Sequence, residues 1–448
     1  MAESTQSFMK KHALKEGDIA EIAEEKGNAL KGTIIPSADE KLLALKLENG
    51  YNVGISIEKI SSVKKLGAGK PVGKAIASEI RKKPGLPAIA ILHTGGTIAS
   101  RVDYRTGTVY SAFNASDLLA MFPELSETAN FESRLLANMW SDDLRFAHFG
   151  MIAKAVESEA KKGVEGVIVG MGTDNLAVAA AGLAFALEKC PIPVLLVGAQ
   201  RSSDRGSSDA AMNLICAANF ITKSDFAGVA ICMHHSASDD VCAILPACKT
   251  RKLHTSRRDA FKAVNDSPIA LVDYNSKEIK FLKADYPKKC AKEKIAAKPN
   301  FEERVGLLKI SINMFPEQFS FYEKEKFKGL VIEGTGLGQT PGHMPDEITK
   351  KAHRGIFPAI ESLVKSGCIV VMTSQCIFGR VQMHVYDKAA DLVKLGVIPG
   401  EDMLAETAFV KLAWLLGNYP KEKAKELIAK NLRGEISKRT EIDEFKPD

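Results

Sequence analysis

The sequence predicts an α/β protein made of a small N-terminal β-barrel followed by two doubly wound domains. Three observations carry this. Between residues 88 and 233 short apolar runs alternate with glycine-bearing turns and long apolar helical stretches, the texture of parallel strands joined by crossover helices. A second alternating set begins near residue 305, and ahead of both, residues 13–66 hold short strand-like runs with no helical period. The chain has 448 residues, enough for about three compact units at roughly 150 residues each. With 45% hydrophobic and 26% charged residues it has a globular balance, which excludes a wholly disordered or fibrous chain.

Taken in order, residues 1–12 read as a loose tail. In the barrel, 13–66, Leu43, Leu45 and Leu47 alternate with Ala44, Lys46 and Glu48, and Asn49-Gly50 supplies the positive φ angles of a tight hairpin. Tyr51, Val53, Ile55 and Ile57 then share one face of the return strand. A unit of about 55 residues has a marginal core, so it is expected to lean on a neighbour. Residues 67–87, rich in Gly, Lys and Pro, read as a linker or short exposed helix. In the larger α/β domain, 88–276, the runs AIAILH (88–93), VIVGM (167–171), VLLVG (194–198) and GVAICM (228–233) are central strands, with helices over 176–188 and 209–220. The lysine-rich run 277–298 lies in a connector, 277–304, read as solvated in preference to a tRNA-facing patch. The smaller α/β domain, 305–432, holds the strands VGLLKISI, GLVIEG and CIVVMTS and helices near 357–365 and 403–416; residues 433–448 read as a tail.

Several classes are excluded early. The longest apolar stretch, 176–187, is shorter than the roughly 18 to 20 residues of a membrane span. The opening MAESTQSFMKK has neither a signal-peptide core nor a transit-peptide composition, so a cytoplasmic place is expected. A net charge of +6 is too mild over this length to announce a nucleic-acid binder. The eight cysteines contain no C-x-x-C and sit largely in apolar runs, which suits reduced buried thiols, and no metal is expected. GAGKPVGKA (67–75) has the wrong spacing for a phosphate loop, and EGTGLGQTPGH misses the dinucleotide fingerprint. His234-His235 stands without a matching cluster and is expected to serve hydrogen bonding, not metal binding.

What remains is a set of polar side chains where predicted strands end, the edge at which open α/β sheets bind ligands. Thr94 follows AIAILH and is pinned by Gly95-Gly96, whose missing side chains admit a close ligand. Thr173-Asp174 follows VIVGM at the corresponding edge. Taken singly, Thr173 or Asp174 equally suits an N-cap for the helix beginning at Leu176, and Thr94 suits a turn.

HTGGTIAS (93–100) with GTDN (172–175) resembles the paired signatures of the L-asparaginase/glutaminase amidohydrolases, which open a side-chain amide with a threonine nucleophile. The similarity runs on through VGAQRSSDRGSSDAAMNL and TRKLHTSRRDAFK and covers nearly everything after residue 87. The barrel, with IEGTGLGQTPGH, MTSQC and GVIPGEDM, resembles more narrowly the D subunits of archaeal glutamyl-tRNA(Gln) amidotransferases. The resemblance implies two α/β domains of asparaginase type preceded by a small SH3-like β-barrel. It makes Thr94 the expected nucleophile, and Thr173, Asp174 and Lys252 the second hydroxyl, acid and base network. Ser141, in NMWSDD, is the expected holder of the substrate's α-carboxylate or α-amino group with Asp174, and Tyr110, in TGTVYSAF, the lid tyrosine that activates the nucleophile.

An amide carbonyl is a poor electrophile, so the hydroxyl needs a nearby base and the oxyanion needs fixed donors. Lys252 is expected to take a proton from Thr173 while Thr94 uses Tyr110 or water. Backbone N–H groups around Gly95, Gly96 and Thr173 are candidate oxyanion donors; which threonine attacks is left open. Two positions depart from the family's usual His-Gly-Thr-Asp-Thr, with Met171 for the imidazole and Asn175 for the last threonine. These changes are expected to alter rate or substrate grip, with Asn175 still able to cap the helix.

The expected activity is release of ammonia from glutamine or asparagine for conversion of Glu-tRNA(Gln) to Gln-tRNA(Gln). That conversion needs ATP, and the chain carries no valid phosphate loop. The resemblance supplies the amidotransferase's E subunit as the partner that binds ATP, Mg²⁺ and most of the tRNA, with no cofactor on this chain and a homodimer of it inside a heterotetramer. The rivals are a free-standing L-asparaginase and a catalytically weak scaffold or RNA-associated protein.

Overall fold

The computed structural model describes residues 4–25, 29–35, 37, 39–47, 52–68, 83–96, 100–103, 108–111, 124–201, 208–442 and 445. A helix α1 (Thr5–Lys11) precedes strands β1 (Asp18–Glu24), β2 (Leu30–Ile35), β3 (Leu42–Leu47), β4 (Asn52–Ser56) and β5 (Ile60–Ala68). These make one antiparallel sheet in the order β4-β3-β2-β1-β5. Two register breaks between β1 and β5 bend it, as bulges do. Leu43 faces Ile55 and Leu45 faces Val53 across β3 and β4, as the alternation predicts, while Asn49, Gly50 and Tyr51 lie outside the described residues. Residues 1–12 are not simply a loose tail. The Thr5 hydroxyl donates to the Glu40 carbonyl at 2.7 Å, and Phe8 enters the core beside Ile22, Leu43 and Leu45. The marginal barrel therefore leans on its own N-terminal helix; two turns are too short for a helical period to show in sequence. Of the expected linker, residues 69–82 lie outside the described residues.

The larger domain begins with β6 (Ala88–His93), a hairpin β7 (Ser100–Asp103) and β8 (Thr108–Ser111), a short helix α2 (Leu125–Thr128) and β9 (Asn130–Leu135). Helix α3 (Phe146–Lys161), β10 (Gly166–Gly170), α4 (Leu176–Ala186), β11 (Leu187–Lys189), β12 (Pro193–Val197), α5 (Ala210–Lys223) and β13 (Gly228–His234) follow. The chain continues through β14 (Val241–Pro246), β15 (Thr250–Lys252), β16 (Phe261–Ala263), β17 (Ala270–Asp273) and β18 (Ile279–Phe281). The sheet order is β18-β17-β14-β13-β12-β10-β6-β9. From β9 to β13 it is parallel, as predicted; β14, β17 and β18 run antiparallel. The reversal follows from loop length, because residues 235–240 between β13 and β14 suffice for a hairpin and not for a crossover.

The expected connector is partly sheet, since β18 extends it past residue 276. Among the described residues, four of the eight lysines in 277–298 are ion-paired: Lys283 with Asp266 at 2.5 Å, Lys288 with Asp225 at 2.9 Å, Lys289 with Glu165 at 3.1 Å and Lys298 with Glu188 at 2.7 Å. Strand β19 (Ala296–Ala297) pairs with β11 and leads into the smaller domain.

That domain runs β20 (Val305–Lys309), α6 (Glu317–Lys324), β21 (Gly329–Gly334), α7 (Glu347–His353), α8 (Ile356–Lys365), β22 (Ile369–Ser374), α9 (Asp387–Lys394) and β23 (Ile398–Pro399). Helices α10 (Ala405–Asn418) and α11 (Lys421–Ile428) close it, over a parallel sheet β20-β21-β22-β23. Helix α4 is buried almost throughout, which its unbroken apolar sequence requires. It meets α10, where Phe185 stacks on Trp414 at 5.7 Å. Two fully buried ion pairs sit at this junction, Lys249 with Asp402 at 2.5 Å and Lys411 with Glu435 at 2.7 Å. Glu435 corrects the reading of 433–448 as a tail: a buried ammonium needs a counter-charge, and this polar segment supplies it. Cys216, Cys232, Cys242, Cys248 and Cys368 are buried free thiols, and burial pushes the Cys190 thiol up to about 12, which makes it inert.

Candidate active site

Strands β6 and β10 are neighbours, with His93 opposite Gly170, so the segments leaving their carboxyl ends emerge together. The Thr94 N–H donates to the Gly170 carbonyl at 3.1 Å. Gly95 and Gly96 have φ of +95° and +81°. A Cβ on Gly96 would lie 2.3 Å from the Gly172 nitrogen, so the TGG and GTD segments touch as only glycine permits. Thr94 and Thr173 are both buried, at 2% and 8% exposure. The third strand end joins them, for the Met139 N–H donates to the Thr94 carbonyl at 3.0 Å.

Lys252 ends β15, a short arm held against β16 by pairing with the buried Phe261. Its Nζ lies 2.9 Å from Thr173 Oγ1 and 2.8 Å from Asp174 Oδ1. This contact decides between the two readings of Thr173-Asp174. The N-cap position of α4 is Asn175, with no side-chain cap, so neither residue serves as the cap and both side chains meet the lysine. Thr173 Oγ1 also lies 3.4 Å from Gln200 Oε1, a residue that the sequence did not single out.

Ser141 is buried where the third strand's loop meets GTDN. Its Oγ accepts the Asn175 N–H at 3.3 Å, and Asn175 Nδ2 donates to the Ser141 carbonyl at 2.9 Å. The expectation that Asn175 caps α4 through its side chain is therefore corrected: its oxygen takes no N–H of the helix, and the amide is oriented instead by its Nδ2 donating to the Ser141 carbonyl, which staples that loop to GTDN. A serine hydroxyl that accepts still has a proton to donate. Met171 lies in the main core, fully buried, where a thioether fits without a polar partner. Tyr110 sits on β8 opposite Arg101 of β7; its side chain lies outside the described residues.

A cavity of about 210 Å³ opens beside this cluster, bordered by Asp174, Asn175 and Lys252 on one side and by Leu404, Glu406 and Thr407 of the smaller domain on the other. Arg251, next to the lysine, pairs with Glu406 at 3.0 Å and ties the arm to α10. The arrangement joins a buried hydroxyl, a carboxylate and an ammonium at one sheet edge, with a second buried threonine on the adjoining strand end.

Residues 88–286 match the family described as Asparaginase, N-terminal, residues 304–428 the Glutaminase/Asparaginase C-terminal domain, and residues 14–66 the GatD N-terminal domain. Among curated relatives, the D subunit of the glutamyl-tRNA(Gln) amidotransferase of Pyrococcus abyssi is 44% identical over 98% of both chains. That of Methanococcus maripaludis is 41% identical over 95% of this chain and 99% of the relative. Among solved structures, the thermostable L-asparaginase from Thermococcus kodakarensis is 27% identical with a TM-score of 0.68, covering 78% of this chain and 99% of that one. The probable cytoplasmic L-asparaginase from Campylobacter jejuni is 25% identical with a TM-score of 0.62, covering 77% and 100%. With relatives matching across nearly the whole length, barrel included, this chain belongs to the asparaginase family, in its branch of glutamyl-tRNA(Gln) amidotransferase D subunits.

Proposed function

We propose that this chain is the amidohydrolase component of a glutamyl-tRNA(Gln) amidotransferase, hydrolysing the side-chain amide of glutamine, or asparagine, and passing the ammonia to a partner. The carrying observation is Lys252 Nζ at 2.9 Å from Thr173 Oγ1 and 2.8 Å from Asp174 Oδ1. A threonine Oγ adds to the amide carbon, and the oxyanion is met by fixed donors about Gly95, Gly96 and Thr173. Collapse expels ammonia with a proton from the network, and water then cleaves the acyl ester to give the free acid and restore the threonine. In this reading Thr94 attacks, helped by Tyr110 or water, and Thr173, Lys252 and Asp174 move the proton. Ser141 holds the α-carboxylate or α-amino end with Asp174.

Activation of the Glu-tRNA carboxylate then falls to the E subunit, which takes ATP, Mg²⁺ and most of the tRNA contact, two copies of each chain forming the assembly in the cytoplasm. Among the described residues no helix is long and apolar enough to cross a membrane. A free-standing asparaginase is not favoured, since the match to the GatD N-terminal domain over 14–66 lies outside that fold.

The test is Lys252→Met in the reconstituted complex. Glutamine hydrolysis should fall by about 10²- to 10⁴-fold, the usual worth of a positioned acid or base. Gln-tRNA(Gln) formation should fail with glutamine and return when ammonium salt replaces it. No rescue by ammonium in an assembled complex would place the defect in transfer, and undiminished glutamine-dependent product would make Lys252 a bystander.

A further inference from the structure

Gln200 lies three residues beyond the end of β12, and its Oε1 is 3.4 Å from Thr173 Oγ1. The contact is long for a hydrogen bond, as catalytic contacts often are before substrate binds. The residue is anchored from behind. Its backbone N–H donates to both carboxylate oxygens of Asp209 at 3.0 Å, and the Arg201 N–H donates to Oδ1 at 3.1 Å. Asp209, fully buried at the mouth of α5, is held by Asn213 Nδ2 at 3.2 Å. Asn213 also donates to the Gly198 carbonyl at 3.0 Å, and its Oδ1 meets His234 Nδ1 at 2.7 Å. This network fixes the backbone at Gln200 and Arg201 and leaves the side-chain amide of Gln200 facing Thr173. Gln200 Nε2 is buried with no hydrogen-bond partner among the described residues, so the side chain does not act as an ordinary structural cross-link.

Lys252 Nζ donates to Thr173 Oγ1 at 2.9 Å. A hydroxyl that accepts from an ammonium has its own proton to direct elsewhere, and the neighbour that receives it must be an acceptor. We propose that Gln200 is a positioning residue for amide hydrolysis: its Oε1 accepts a hydrogen bond from the Thr173 hydroxyl in the resting site and holds Oγ1 within reach of Lys252 Nζ. The oxygen of Thr173 is thereby fixed in place between Gln200 and Lys252, and only its O–H bond has to rotate for the proton to reach the lysine.

The inference rests on the function proposed above, and the test separates the two. Full-length wild type, Thr173→Ala, Gln200→Met and Gln200→Glu are assayed for glutamine hydrolysis across pH, with thermal unfolding of each. Gln200→Met removes the acceptor at similar length and should lower kcat about ten-fold with KM little changed. Gln200→Glu restores an acceptor and should recover much of kcat, but it sets a carboxylate beside Lys252. An added carboxylate disfavours loss of a proton from the cluster, so the rising limb of the pH profile should move alkaline. A Gln200→Met enzyme with wild-type kcat, or a Gln200→Glu profile superimposed on wild type, overturns the inference. Should Gln200→Met fold poorly, the limb of Gln200→Glu decides alone. A wild type no more active than Thr173→Ala would overturn the proposed function, and the inference with it; activity lost in Thr173→Ala yet indifferent at Gln200 overturns the inference only.

Discussion

His234 sits fully buried at the end of β13, its ring between Asn213 and Asp239. Burial lowers its pKa, against the raising pull of Asp239 and Asp209, and His235 shifts the same way through burial and Lys262. In the unfolded chain both rings protonate first, near the reference value of 6.5, so stability is full above that pH and is lost as pH falls. The urea midpoint should therefore fall between about pH 7 and pH 5, and His234→Gln should flatten that fall. An unchanged slope in the variant would assign the titration elsewhere. At this scale Thr94, Thr173, Asp174, Lys252 and Ser141 were legible because each stands in a short signature. Gln200 was not, since nothing in VGAQRSS marks it. Its setting comes from a hydroxyl 27 residues earlier and a buried carboxylate nine residues later, and neither spacing is a pattern.

The strand ends work as a set because two glycine-bearing turns interpenetrate, Gly96 against Gly172. Gly96→Ala meets two obstacles at once: φ is +81°, and the new Cβ would fall 2.3 Å from the Gly172 nitrogen. The turns must part, so amide hydrolysis should drop by at least about 10²-fold, as misplacement by an ångström does, with a stability loss of about 1 to 3 kcal/mol. Retained turnover in a folded variant would show that the turns can separate without harm. The apolar strands and α4 were readable because burial on both sides writes continuous hydrophobic runs. The antiparallel edge was not, because β14 and β17 are as apolar as parallel strands and direction is set by the length of the connecting turn. Helices α3, α6, α7, α9 and α11 were not legible, because polar residues interrupt their sequences, which lack the unbroken apolar run that marks α4.

At the scale of the molecule, the barrel keeps a core of its own, drawn entirely from residues of the N-terminal unit, whereas the two α/β domains, each with a cluster of its own, are joined by a third that draws on both. Removing residues 1–66 should leave glutamine hydrolysis within about two-fold and weaken assembly with the partner, by sedimentation and activity assays. Loss of hydrolysis in a folded remainder would give the barrel a catalytic part. The joined domains depend on buried charge: Glu435→Ala strands Lys411 in the interior and should cost about 3 to 5 kcal/mol by chemical denaturation. A neutral result would mean that water reaches the ammonium. The ion-paired lysines between the two α/β domains have a consequence of another kind. A lysine already neutralised by a carboxylate displaces little of the cation atmosphere condensed along a polynucleotide, so Lys283, Lys288, Lys289 and Lys298 add little entropy of ion release when tRNA arrives. The ionic-strength sensitivity of the assembled enzyme for tRNA is thereby left to cations other than these four, and these four can be varied without retuning the grip on its nucleic acid.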